Sequence, residues 1–74
     1  MSEQVYKVVE VIGSHPTSWE EAAKLAIKSA GGSLKDLRIA QVVNQDVRIE
    51  QDKIVAFRTR LALSFRIHNE SELK

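Results

Sequence analysis

A stretch late in the chain alternates apolar and polar side chains almost without interruption. Apolar residues stand at every second position from Val55 to Ile67, with Thr59 as the exception, and three arginines lie among the intervening positions. A period of two places one set of side chains on each face of a β-strand. The sequence therefore predicts a sheet with one apolar face, which another element has to cover.

Two earlier segments are also predicted to be strands. Val5 to Ile12 is rich in β-branched residues on both faces, and Gly13 is expected to end it. Alternation returns between Leu37 and Ile49, where five apolar residues of one parity are expected to share a face: Leu37, Ile39, Val43, Val47 and Ile49. A polar turn over residues 50–53 is predicted to join this strand to the third.

Between the first two strands the sequence predicts a helix. Ser18 and Glu21 have the spacing of a capping box, which places the start of the helix directly after Ser18. The apolar residues that follow recur at steps of three and four and are mostly alanine: Trp19, Ala22, Ala23, Ala26, Ile27 and Ala30. Because small side chains permit close approach, we expect this helix to lie in the curve of the sheet. Gly31 and Gly32 are expected to weaken or end it.

The order of these elements predicts the topology. If the helix crosses back after the first strand, the first two strands run the same way, and the third can lie between them, antiparallel to both. The predicted fold class is α+β, a β-α-β-β protomer whose three-stranded antiparallel sheet, in the order 1-3-2, wraps around one helix. We expect a single domain over residues 1–74, with its core in residues 4–67 and a polar tail at residues 68–74.

A chain of this size is expected to have too small a core to be stable as a monomer. It has 74 residues and no cysteine, and domains of this size bury little surface without oligomerisation, metal or disulfides. The predicted fold also leaves one sheet face and two sheet edges uncovered, so self-association is expected. The net charge of +1 argues against a nucleic-acid partner. No apolar run approaches the roughly 18 residues of a membrane span, and no leader pattern is visible, so we expect a cytoplasmic protein without a membrane partner.

The order and spacing of four motifs resemble the dodecin family. They are VYKVVEVIG at residues 5–13, SHPTSWEEAAKLAI at 14–27, LKDLRIAQVV at 34–43 and LALSFRI at 61–67. The resemblance implies a β-α-β-β protomer, twelve copies of which form a hollow sphere of cubic symmetry. It also implies a function, the storage and sequestration of flavins such as riboflavin or FMN, whose rings stack in pairs between tryptophans.

Two positions depart from the flavin-binding pattern that the resemblance implies. Ile39 stands where flavin-binding members carry the stacking tryptophan, and Arg58 stands where they carry a flavin-contacting glutamine. Isoleucine has no flat π surface for a ring, and a guanidinium donates hydrogen bonds but cannot accept them. Ile39 and Arg58 therefore mark a degenerate flavin site, which argues against tight flavin storage. Flavin sequestration and a structural, partner-binding oligomer without ligand remain the alternative functions.

The sequence more closely resembles the tryptophan-lacking branch of the family, sometimes called calcium dodecins, and this resemblance implies calcium as the bound ion. Asp46 and Glu50 are the candidate ligands, because residues of one parity on a strand share a face. Calcium takes six to eight oxygens, so further ligands have to come from other subunits or from water. The alternative is that both are ordinary solvated or salt-bridged acids.

The remaining distinctive residues have structural interpretations. Trp19 is expected to pack on the sheet edge or on a neighbouring subunit rather than to contact a ligand. The arginines of the last strand (Arg58, Arg60 and Arg66), joined by Arg38 and Arg48 of the second, are expected to pair across subunits with Asp46, Glu50 or Glu10, with phosphate binding as the alternative. Without a cysteine, a G-x-S-x-G motif or a Gly-rich phosphate loop, the sequence predicts no enzyme. The predicted function is a non-enzymatic shell that binds a small ligand or an ion.

Overall fold

The computed structural model describes residues 4–30 and 34–67 of the chain. These residues form the elements β1 (Val5–His15), α1 (Trp19–Ser29), a 3-10 turn (Leu34–Asp36), β2 (Leu37–Glu50) and β3 (Lys53–Ile67). β3 lies in the middle of the sheet and pairs antiparallel with both β1 and β2. The predicted β-α-β-β order and the strand order 1-3-2 are therefore confirmed. The expectations for Gly31, Gly32 and the tail at 68–74 lie outside the described residues.

The core lies between β3 and α1. Leu61 and Leu63 are buried beneath Ala26, and they belong to the alternating apolar set that the sequence places on one face. Thr59, the polar exception in that set, is also fully buried, and its hydroxyl donates a hydrogen bond of 2.9 Å to the carbonyl oxygen of Trp19. A buried hydroxyl that has a hydrogen-bond partner costs little free energy. Thr59, which interrupts the apolar pattern, therefore links β3 to the start of α1.

Gly13 is the point at which α1 comes closest to the sheet. A Cβ atom on Gly13 would lie 2.0 Å from the carbonyl oxygen of Ala22 and 3.0 Å from the Cβ of Ala26. The prediction that Gly13 ends the first strand is wrong, because Gly13 is paired with Thr59 and β1 continues to His15. Here glycine serves the close approach of a helix rather than the end of a strand.

β2 departs from simple alternation. The pairing of β2 with β3 shifts register between Leu37 and Ile39, between Val42 and Asn44, and between Arg48 and Ile49. Each shift breaks the alternation of faces along the strand. The prediction of a common face for the five apolar residues of β2 is therefore wrong. Ile39 lies opposite Ser64, on the face away from α1, whereas Val47 lies opposite Phe57, on the face that carries α1.

The protomer is long and thin. Its extents are 53 × 17 × 17 Å, and its radius of gyration is 15.4 Å. A compact chain of this length would have a radius of gyration of about 11 Å. The long axis follows from β3, whose 15 residues span about 50 Å at roughly 3.3 Å per residue. One helix of 11 residues cannot cover such a sheet, so much of the apolar surface of the described residues stays exposed.

Candidate binding site on the open face of the sheet

The face of the sheet opposite α1 is called the open face. Its residues follow from the strand register, since residues directly opposite each other share a face. They are Tyr6, Val8, Glu10, Ile12 and Ser14 of β1, Ile39, Gln41, Asn44 and Asp46 of β2, and Arg58, Arg60, Ala62, Ser64 and Arg66 of β3. The two positions that mark the degenerate flavin site and one candidate calcium ligand thus lie on a single surface.

Asp46 and Arg58 form a bidentate ion pair across β2 and β3. The two residues are directly opposite in the register, and the guanidinium donates from Nε to Oδ1 and from Nη2 to Oδ2, each at 2.7 Å. The geometry is that of a guanidinium fork on a carboxylate. These hydrogen bonds hold the pKa of Asp46 below its ordinary value, against the smaller opposing effect of desolvation, and they raise the pKa of Arg58. Both groups are therefore charged at neutral pH.

Two further arginines of the sheet pair with acids of the same chain. Arg60 of β3 donates to Glu10 of β1 at 3.3 Å, and Arg48 donates to Glu50 within β2 at 2.7 Å. The sequence correctly identified all three acidic partners, Asp46 included. It placed the pairs across subunits, whereas the structure forms them within one chain. Asp46 and Arg58 are directly opposite in the antiparallel register, and Arg48 and Glu50 lie two residues apart on one strand.

Trp19, the first residue of α1, makes a hydrogen bond to the backbone of Asp46. Its indole Nε1 donates a hydrogen bond of 3.0 Å to the backbone oxygen of Asp46, and its ring meets that of Phe57 edge to face at 4.9 Å. Trp19 therefore packs on the sheet, as the sequence predicted. Its bond to Asp46 was not foreseen, since 27 residues separate the two and no local pattern signals the contact. The backbone of residue 46 is thus tied to α1 while its carboxylate is tied to β3.

Ile39 and Arg58 do not meet within one chain. Ile39 lies opposite Ser64, which is six residues from Arg58 along β3, a separation of about 20 Å at roughly 3.3 Å per residue. Both side chains remain accessible, and 54% of Ile39 is exposed. A ligand shorter than this distance could touch both side-chain types only where two copies of the chain meet.

Asp46 and Glu50 are also held apart. The register shift between Arg48 and Ile49 breaks the parity on which their common face depended, and each carboxylate has its own arginine. Within residues 4–30 and 34–67, no three histidine, aspartate or glutamate side chains gather closely enough to hold a metal ion. The described part of one chain therefore does not fit a calcium ion by itself, and a complete coordination shell needs oxygens from another copy or from water.

Comparison with known protein sequences gives consistent matches. The family profile described as Dodecin matches residues 5–68. Calcium dodecin of Mycobacterium tuberculosis (strain ATCC 25618 / H37Rv) is 41% identical over 63 residues, which cover 85% of this chain and 89% of that protein. The resemblance drawn from motifs thus extends over most of the chain.

Solved structures match the fold over nearly the whole chain. Dodecin from Streptomyces coelicolor superposes with a TM-score of 0.81 at 28% identity and covers 95% of this chain and 100% of its own. Calcium dodecin of Mycobacterium tuberculosis superposes with a TM-score of 0.74 at 39% identity, over 89% of this chain and 94% of its own. That protein is described as a calcium-chelating immunodominant antigen with a novel calcium-binding site. No helix among the described residues is long and apolar enough to cross a bilayer.

Proposed function

Since the chain belongs to the dodecin family, we propose that it is a non-catalytic binding protein that assembles from identical copies and holds calcium rather than flavin. The observation that carries the choice against flavin is the Arg58–Asp46 ion pair, since the family resemblance implies a neutral amide at position 58 in flavin-binding members. The 41% identity with a calcium dodecin supports the same choice.

The open face offers a flavin little to bind. Ile39 is exposed but aliphatic, so it cannot supply the stacking energy of roughly 1–3 kcal/mol per ring that an aromatic platform gives. At the other position, two of the guanidinium donors of Arg58 are already engaged by Asp46. A flavin that approached Arg58 would meet a guanidinium that is already paired with a carboxylate and that offers no acceptor.

The shape of the protomer supports assembly into the twelve-copy shell that the family resemblance implies. β1 and β2 are edge strands of the sheet, and exposed apolar side chains lie along both of them. A second copy could cover these edges and the open face at once. We propose that calcium binds where copies meet, with Asp46 and Glu50 as the candidate carboxylates. The cytoplasmic location expected from the sequence stays a prediction.

Native mass spectrometry of protein purified without added metal or flavin tests this function. We expect a mass near twelve chains that carries calcium adducts, loses them on chelation and takes up no riboflavin. Calcium should also raise the melting temperature relative to chelator, because a ligand that binds the folded form stabilises it by mass action. Magnesium serves as the matched ion. Riboflavin uptake without calcium binding would reverse the choice of ligand, and a folded monomer would refute the assembly.

Variants assign the candidate ligands. Glu50→Gln and Asp46→Asn should each weaken calcium binding, whereas Glu10→Gln, which breaks a comparable Arg–Glu pair on the open face, should leave it unchanged. Equal binding in all three variants would remove Asp46 and Glu50 as ligands while leaving the shell and its ion intact.

A further inference from the structure

We propose that the tip of the β2–β3 hairpin is a two-fold contact between copies of the chain, in which each copy covers the exposed isoleucines of the other. The tip, residues 48–56, is called the arm. The inference rests on the proposed assembly from identical copies and names one surface that carries it. It involves no bound ion or flavin, so it is tested separately from the choice of ligand.

The arm projects beyond the rest of the protomer. β1 ends at His15, which pairs with Phe57, so the part of β3 that precedes Phe57 has only β2 beside it among the described strands. α1 begins at Trp19, whose ring packs on Phe57, and the helix then runs towards Leu61, away from the arm. The four steps from Phe57 back to Lys53 span about 13 Å at roughly 3.3 Å per residue. The arm is therefore a two-stranded ribbon that its own chain does not cover.

Two isoleucines form the apolar surface of the arm. Ile49 and Ile54 are directly opposite in the register, so their side chains lie side by side on one face. Ile49 is 61% exposed and Ile54 is 55% exposed, and within residues 4–30 and 34–67 no large apolar side chain is more exposed than Ile49. An isolated two-stranded hairpin is at best marginally stable in water. The arm therefore gains stability from a partner that buries this face.

The charge of the arm favours a second copy as that partner. The arm contains two basic and two acidic residues, so its net charge is zero: Arg48, Glu50, Asp52 and Lys53. Arg48 and Glu50 already form an ion pair of 2.7 Å with each other. In a two-fold contact a patch faces itself, so any excess charge would meet its like. A neutral patch avoids this repulsion, and it also offers no field that would attract a partner of opposite charge.

The exposed leucine of α1 provides a contrast. Leu25 is 48% exposed and lines a groove of about 430 Å³ together with Lys24, Lys28 and Glu21. Two lysines against one glutamate leave this groove with excess positive charge, so two copies of it would repel each other. Leu25 is therefore the matched control, because it is a large, exposed, apolar side chain that lies outside the arm.

Cross-linking tests the contact directly, because the chain contains no cysteine of its own. Ile49→Cys, Ile54→Cys and Leu25→Cys are purified as assembled protein, kept in chelator and treated with a short bis-maleimide. Facing strands lie about 10 Å apart, a distance that this reagent bridges and that a direct disulfide does not usually reach. We expect a band of two chains on denaturing gels from Ile49→Cys or Ile54→Cys, and none from Leu25→Cys.

The contribution of the contact to assembly is measured by native mass spectrometry and light scattering over a dilution series. Ile54→Glu should weaken association by at least about tenfold, because it removes a buried isoleucine and places a charge opposite its own copy. Leu25→Glu should change association by less than about twofold, the range of an ordinary surface substitution. Far-ultraviolet circular dichroism checks the fold of each variant, and Ile54→Ala provides the same comparison should Ile54→Glu not fold.

The outcomes separate the arm contact from the assembly on which it rests. Cross-linked pairs from an arm variant, together with weaker association of Ile54→Glu, support the contact. If the variants assemble as well as wild type and no arm variant cross-links, the contact is overturned and the assembly stands, with the arm facing solvent or another protein. Weaker association of Ile54→Glu without any cross-link also overturns the two-fold contact, because the arm then meets a different surface of its neighbour. A folded, monomeric wild-type chain overturns both.

Discussion

Replacing Gly13 with alanine tests the packing on which the whole protomer depends. The new Cβ would lie 2.0 Å from the carbonyl oxygen of Ala22, 2.9 Å from its carbonyl carbon and 3.0 Å from the Cβ of Ala26. Two of these atoms belong to the helix backbone, which cannot rotate away as a side chain can. To restore an ordinary contact of at least 3.4 Å, α1 has to move away from β1 by more than 1 Å.

The expected cost is large for so small a protein. Overpacking a core costs about 1–3 kcal/mol, and a clash with rigid backbone lies at the upper end, about 3 kcal/mol. Lifting α1 would also open a gap above Leu61 and Leu63, which lie beneath it. A chain of 74 residues has a free energy of unfolding of about 4–11 kcal/mol, so the loss is a substantial part of the total. The melting temperature should fall by about 12–24 °C.

Urea denaturation at fixed chain concentration, followed by circular dichroism, measures the change in the free energy of unfolding. Ser14→Ala is the matched control, because Ser14 is the next residue of β1 and is exposed. A Gly13→Ala protein within about 0.5 kcal/mol of wild type, the range of ordinary surface substitutions, would refute the reasoning. It would mean that α1 can shift on the sheet without loss of stability, and that the close approach of α1 to β1 does not require glycine at position 13.

Three further substitutions address the other contacts. Asp46→Asn should melt at a lower temperature than wild type at neutral pH. Folding lowers the pKa of Asp46, so its pair with Arg58 stabilises the protein fully above the unfolded pKa of about 3.9. This stabilisation is lost as the pH falls through the pKa of the folded state. A melting difference that persists unchanged to about pH 2 would contradict this account. Trp19→Phe keeps a ring beside Phe57 but removes the hydrogen bond to the Asp46 backbone, so the free energy of unfolding should fall by about 1 kcal/mol in urea; a loss near zero would mean that the bond does not stabilise the fold. Asp52→Gly should raise it by about 0.5 kcal/mol, since Asp52 has a φ of 65° that glycine adopts without strain, and a decrease would show that the aspartate itself favours the turn.

The faces of β3 and the start of the helix were predictable because their signals are local. Ser18 caps the helix, with its hydroxyl accepting from the amide of Glu21 at 3.1 Å, as the capping pattern indicates. The even and odd positions of β3 separate as predicted, because this strand pairs on both sides and runs without a register shift against β1. Strict periodicity thus gave the correct faces wherever the ladder is regular.

The faces of β2 could not be predicted, because a bulge is a property of two strands. A register shift has no signature in the sequence of β2 itself, yet it reverses the faces of the residues that follow it, up to the next shift. Ile39, for example, lies opposite Ser64 on the face away from α1, although alternation grouped it with Leu37 and Val47. The shift between Arg48 and Ile49 likewise separates Asp46 from Glu50, which the sequence had placed on a common face. Their role as calcium ligands stays a prediction.

The site itself was only half predictable. The acidic partners of the arginines could be identified from parity and charge, but their assignment to the same chain needed the register. The bond between Trp19 and Asp46 joins residues on different elements, and neither residue type demands it. Contacts of this kind depend on how the helix packs on the sheet, so the sequence alone does not predict them.

Because the protomer is thin, its survival depends on how much of the protein a cell makes. Few side chains are buried within the described part of one chain, so a solitary copy has little to protect it from proteases. In the proposed shell of twelve, the assembled fraction rises as a high power of chain concentration, since each copy is stabilised by its neighbours through mass action. Scarce chains are then cleared while abundant chains persist, and the level of expression acts as a threshold that decides whether a shell exists at all.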